Sequence, residues 1–89
     1  MKYEWDEKKR EHNRMTRNID FTIASGFIWD EALTIEDTRS DYNESRFLSY
    51  APIMDRLYAM IWTQRGGIRR IISLRKANKR EVLQYERET

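Results

Sequence analysis

Cysteine is absent from this chain, and histidine occurs once, as His12. The first absence excludes a disulfide framework, a thiolate metal site and a thiol nucleophile. The second makes any imidazole-based zinc site or Ser–His pair depend on His12 alone. Proline occurs once and glycine three times; no Pro- or Ser-rich linker and no internal repeat is visible. No apolar run approaches the roughly eighteen residues of a membrane span, and the charged start lacks the apolar segment of a signal peptide. A cytoplasmic protein without a membrane partner is expected. The acids Glu36, Asp37 and Asp41 come closest to a two-metal cluster, but they read as solvated residues around a polar loop. No metal and no cofactor is expected.

What is present is a single small domain, residues 1–89, with a limited core to which three Trp, five Tyr and three Phe contribute most of the large apolar groups. Charged residues make up 36% of the chain and the mean hydropathy is −0.92, yet apolar positions recur at regular spacing, which implies a folded chain. The formal charge of +2 is unevenly spread: residues 65–89 carry eight basic and three acidic side chains. Between Arg65 and Arg80 lie seven basic residues and no acid. Such an asymmetry points to a polyanionic partner, the plain alternative being a solvated basic face.

Local patterns give the elements. Residues 2–5 can form a short strand. Composition favours a helix from Asp6, a good N-cap, to about Arg17, with Trp5, the Lys9 stem, His12 and Met15 as a thin apolar face; Asn18 suits a left-handed C-cap. Asp20 caps a second, short helix with Phe21, Ala24, Phe27 and Ile28 as one stripe. From residue 32 the period becomes two, giving strands near 33–36, 46–51, 56–63 and 68–74, the last two joined by a hairpin at Gly66-Gly67. Asn78 and Glu81 form a capping box for a terminal helix. The expected fold is therefore α+β: N-terminal helices, a four-stranded antiparallel sheet and a C-terminal helix.

Arginines threaded through an apolar strand, as in Ile68-Arg69-Arg70-Ile71-Ile72, need partners. Strict alternation puts Arg69, Ile71 and Ser73 on one face and Ile68, Arg70 and Ile72 on the other. One arginine must then be paired, lie at an edge or line a concavity, because burying an unpaired guanidinium costs several kcal/mol. A structural Arg–Glu pair is one reading, with Glu81 the nearest acid in sequence. The functional reading is phosphate, which matches the fork of guanidinium donors. Arg65, Arg70 and Arg75 would bind an RNA backbone, with Lys76, Lys79 and Arg80 on flanking phosphates and Trp62 and Tyr85 as stacking platforms, although either aromatic can equally be core. A catalytic version needs no metal: a 2′-hydroxyl attacks its neighbouring phosphate while the arginines stabilise the phosphorane and Glu81 is the nominee for base.

The chain resembles the BrnT family of bacterial type II toxins, ribonucleases with a RelE-like fold. Glu4-Trp5-Asp6-Glu7-Lys8 followed by Asn13 resembles the family's W-D-x-x-K-x-x-x-N opening, with Phe21 and Ala24 after it, and Trp62-Thr63-Gln64-Arg65-Gly66 resembles its strand-end T-x-R-G. Arg70-Ile71-Ile72-Ser73-Leu74-Arg75-Lys76-Ala77, then Arg80-Glu81 and Tyr85, is similar to R-I-I-S-A-R-K-A…R-E…Y, with Leu74 for the usual Ala. The resemblance implies an endoribonuclease that cuts mRNA and arrests translation. It also implies a BrnA-like antitoxin that neutralises the toxin, binds operator DNA for the complex and bridges a toxin dimer. The matching positions are Arg65, Arg70, Ser73, Arg75, Lys76, Glu81 and Tyr85. One departure stands out: Thr16, Arg17 and Asn18 follow Asn13 where the family usually has x-x-K-H-G, so Arg17 replaces a His. The alternative reading is accordingly a weak or inactive homologue that binds the antitoxin as a co-repressor.

Overall fold

The structure is a computed structural model, and it describes residues 2–38 and 44–89. The polar loop read at residues 37–43, and Asp41 with it, falls largely outside them. In chain order the elements are β1 (Tyr3–Trp5), α1 (Glu7–Arg17), two 3₁₀ turns (Phe21–Gly26 and Trp29–Glu31), β2 (Leu33–Asp37), β3 (Arg46–Ile53), β4 (Arg56–Arg65), β5 (Ile68–Lys76) and α2 (Lys79–Glu88). Among these, no helix is long and apolar enough to cross a membrane.

The sheet corrects the expected architecture. It has five strands in the order β1-β5-β4-β3-β2 and is mixed. β2 to β5 pair antiparallel, as the alternation and the Gly66-Gly67 turn imply, but β1 pairs parallel with β5 through Tyr3↔Arg69, Glu4↔Arg70 and Trp5↔Ile71. A three-residue strand that joins its partner some sixty-five residues later has no turn signal, and only tertiary pairing recruits it to the sheet. Both hairpin glycines have positive φ, 56° and 80°, the backbone that the tight turn between two right-twisted strands demands.

One face of the sheet carries the core. Phe21, Ala24 and Phe27 pack on Ala51, Ile53, Met60, Trp62, Ile71 and Leu74. Their spacing of three suits the 3₁₀ turn, which Asp20 caps by accepting from the Thr22 amide; Ile28, the fourth member of the expected stripe, is exposed. α1 docks differently from its expected face. Met15 and His12 are exposed, and the buried residue is Asn13. Its Nδ2 donates to the carbonyls of Ile19 (2.9 Å) and Leu74 (2.8 Å), and its Oδ1 accepts from the Leu74 amide at 3.4 Å. β1 ends opposite Ile71, so one side chain amide closes the edge of β5 where the strand pairing stops.

Candidate active site on the open sheet face

Between β4 and β5 the register slips: Ile61 faces Ser73, but Trp62 faces Ile71, and Ile72 has no opposite number. This bulge shifts the phase of alternation by one. Arg69, Ile71 and Leu74 therefore share the core side, while Arg70, Ser73 and Arg75 share the outer side. The separation of Arg70 from Ser73 expected from strict alternation is thus overturned, and three residues of the run R-I-I-S-L-R come to one surface.

Pairing across the sheet builds that surface rung by rung. One rung reads Asp37, Arg46, Thr63, Arg70, Glu4; the next Ile35, Leu48, Ile61, Ser73; the third Leu33, Tyr50, Ala59, Arg75. α2 closes the end nearest the third rung. The Arg75 guanidinium donates twice to Glu81, at 2.6 and 2.8 Å, and Tyr50 Oη donates to the same carboxylate at 3.1 Å. Glu81 also accepts from the Asn78 amide at 2.9 Å in return for the Asn78 side chain capping its own N–H, so the capping box is present as expected.

The Arg–Glu pair anticipated for Arg69 or Arg70 is thus made by Arg75. The Arg75 hydrogen bonds, with help from Asn78 and Tyr50, hold Glu81 down to about 2 against an ordinary 4.5. A carboxylate engaged by four donors is a poor proton acceptor. A pH prediction follows. The folded-state value is depressed, so the pair's stabilisation is complete above about 4.5 and is lost as pH falls through about 2. Acid titration followed by circular dichroism should show stability falling across that window, and Glu81→Gln should be less stable at neutral pH with a flatter acid profile. Some slope will remain, because Arg10 likewise holds Asp20 well below the usual carboxylate range.

Arg70 has a different setting. Among the described residues Glu4 is its one acidic neighbour, at 3.7 Å, beyond hydrogen-bond reach, so the guanidinium donors on the outer face are left for a ligand. Arg46, opposite Thr63 on the same rung, is a further cation of this face that sequence reasoning passed over; no motif marks it, and only the register of β3 reveals it. In sequence Glu4 belongs only to the N-terminal motif, and the parallel pairing of β1 is what brings it here.

Other nominated residues fall elsewhere. Arg65 is on the outer face but lies six residues along β4 from Ala59, the partner of Arg75. At ~3.3 Å per residue that is about 20 Å, so Arg65 and Arg75 cannot share a phosphate; Arg65 is also held by Glu44 through two hydrogen bonds. Trp62 is on the core side, 6% exposed, with its Nε1 donating to Ser49 Oγ and its ring against Phe47 and Trp29. It is core, and no face of it is open to a base. Arg69 lies 3.5 Å from the Trp29 ring centroid and 4.7 Å from that of Trp62, so it is accommodated by aromatic faces in place of an acid. Tyr85 Oη donates to the Glu31 carbonyl at 2.6 Å, tying α2 to the second 3₁₀ turn. Lys76, Lys79 and Arg80 are exposed at the α2 end of the face. The acids Glu36 and Asp37 point to opposite sides of β2, opposite Phe47 and Arg46, and no cluster of three metal-ligating residues occurs among the described residues.

The family model for "Ribonuclease toxin, BrnT, of type II toxin-antitoxin system" matches residues 5–81. The crystal structure of the Brucella abortus ribonuclease toxin BrnT superposes with a TM-score of 0.68. It is 24% identical in sequence, over 89% of this chain and 99% of that one. Among curated proteins none matches.

Proposed function

Because the chain belongs to the BrnT family of ribonuclease toxins of type II toxin–antitoxin systems, we propose that it is a metal-independent endoribonuclease that cuts mRNA on the open face of its sheet. The observation that carries this reading is Arg70, a guanidinium on the outer sheet face whose one acidic neighbour among the described residues, Glu4, stands 3.7 Å away. In the proposed step an RNA 2′-oxygen attacks the adjacent phosphorus, the P–O5′ bond breaks, and a 2′,3′-cyclic phosphate and a 5′-hydroxyl result. Arg70 and Arg75 stabilise the charge on the phosphorane oxygens. Glu4 takes the 2′-hydroxyl proton, because Glu81 is saturated with donors and serves to orient Arg75. Water protonates the leaving oxygen. Lys76, Lys79 and Arg80 hold the backbone beyond Arg75, and a BrnA-like antitoxin neutralises the toxin by covering this face with its own carboxylates. A toxin dimer bridged by that antitoxin, and operator DNA bound through it, complete the reading.

The test is cleavage of an end-labelled mRNA by the purified protein in EDTA, beside Glu4→Gln. Cutting should survive the chelator and leave cyclic phosphate ends, and the variant should be slower by roughly 10²–10⁴-fold, the usual worth of a positioned base. A folded wild-type protein that leaves the RNA whole would sink the enzymatic reading in favour of the antitoxin-binding co-repressor.

A further inference from the structure

The cations of α1 divide into two sets. Arg10 is paired with Glu7 and Asp20, and Arg14 with Glu11. Lys8, Lys9 and Arg17 make no ion pair among the described residues, and Lys9 and Arg17 stand on either side of Asn13 at helical i, i+4, i+8 spacing. The unpaired set faces a groove of about 520 Å³ between α1 and β5, lined also by His12 and, across from them, Ser73. The groove's one acid, Asp6, is occupied as the helix N-cap, accepting from the Lys8 amide at 2.8 Å. A helix that neutralises its cations on one stripe and leaves them free on the stripe lining a concavity has the electrostatic form of an anion site. Its volume falls in the range of small-ligand pockets.

The position of the groove says which anion. Ser73 lines it, and Ser73 is also the residue between Arg70 and Arg75 on the outer face. The bulge at Ile72 makes this possible, since the strand turns there and β1 no longer flanks it. Asn13 pins the helix beside it through Leu74. A strand crossing Arg70 thus meets, at Ser73, a second basic surface continuous with the first.

We infer that this groove seats the RNA backbone on one side of the scissile phosphate, with Lys9 and Arg17 each contacting a phosphate and His12 offering its imidazole as a further hydrogen-bond partner. The assignment rests on RNA being the substrate. It makes the substrate track on that side turn off the sheet face along α1, while Lys76, Lys79 and Arg80 hold the backbone on the other side.

The experiment uses fluorescence anisotropy with a fluorescein-labelled 2′-O-methyl RNA oligonucleotide, which lacks the attacking hydroxyl, so binding is read independently of cleavage. Lys9→Ala/Arg17→Ala should bind about 25-fold more weakly at about 0.1 M salt, and its log–log salt slope should fall by about 1.4, as for two lost single-strand phosphate contacts. Arg14→Ala, which removes a paired cation, should leave the slope unchanged. Both side chains are exposed, and an unchanged thermal melt will show that the double variant folds. An unchanged affinity and slope in that variant overturns the groove assignment even if the wild type cuts RNA. Weakened binding beside a wild type that never cuts upholds the groove and removes only the catalytic reading. Loss of binding to an acidic antitoxin with RNA binding intact would reassign the groove to the protein partner, and failure of the wild type to bind the RNA would reject it outright.

Discussion

Arg70→Ala is expected to lower RNA cleavage by about 10²–10³-fold, the usual effect of removing one preorganised donor to a developing oxyanion, while moving the melting temperature by no more than a few degrees. The two halves of that statement come from one geometry. Arg70 sits on the rung Arg46, Thr63, Arg70, Glu4, and its side chain, 27% exposed, meets a partly exposed Glu4 at 3.7 Å. A pair that open and that long contributes little to stability, on the order of 0–1 kcal/mol. The fold therefore does not need the guanidinium, and its loss should register in the chemistry alone. Arg75 offers no such clean separation. Its bidentate bond to Glu81, where the two side chains are 27% and 12% exposed, also holds the start of α2 to the sheet, so removing it leaves a largely desolvated carboxylate without its main partner. Cleavage rates measured at saturating RNA, with melts by circular dichroism on the same samples, decide the matter. An Arg70→Ala protein that unfolds would make the residue structural, and one that cuts at the wild-type rate would take it out of the site.

How much of this site could be read from sequence depends on what sets each feature. The capping box at Asn78 and Glu81 and the hairpin at Gly66-Gly67 are local: the residue types and their spacing carry the physics, and both were legible. The choice of acid was legible too, since Glu81 is the nearest in sequence, but its partner was not. Which arginine it meets depends on the phase of β5, and that phase is reset by a bulge at Ile72 that no glycine or proline announces. The arrival of Glu4 beside Arg70 needs a parallel pairing between the two ends of the chain. Trp62 was equally eligible, from sequence, for a stacking platform or for core; the side of β4 on which it points decides for core. The arginine-rich run thus announced a candidate site, and tertiary register decides which residues the proposed site brings together.

The same distinction makes Asn13 the residue on which the fold depends most out of proportion to its size. In a list of helix residues it reads as a neutral polar position. In the structure it is 4% exposed and serves three backbone groups, the carbonyls of Ile19 and Leu74 and the Leu74 amide. Asn13→Ala leaves those groups buried and unpaired. A buried polar group without a partner costs about 1–3 kcal/mol. The Leu74 amide bond is long, so we expect a loss of about 3 kcal/mol in all, against a whole-domain stability on the order of 5–15 kcal/mol. For a domain of this size that lowers the melting temperature by roughly 12–24 °C. Asn13→Asp should be no better, because it keeps the acceptor, discards the donor to both carbonyls and adds a charge beside them. The discriminating measurement is the thermal melt together with hydrogen exchange at the Leu74 amide, which should lose protection before the strands it adjoins. A shift of only a few degrees, with Leu74 still protected, would mean that water or a shifted α1 closes the edge of β5 as well as the asparagine does. The large shift would mean that one amide side chain stands in for the strand that β1 is too short to provide. That same amide fixes the helix carrying Lys9 and Arg17 beside Ser73, so below its melting temperature the alanine variant should bind RNA more weakly without losing the Arg70 face.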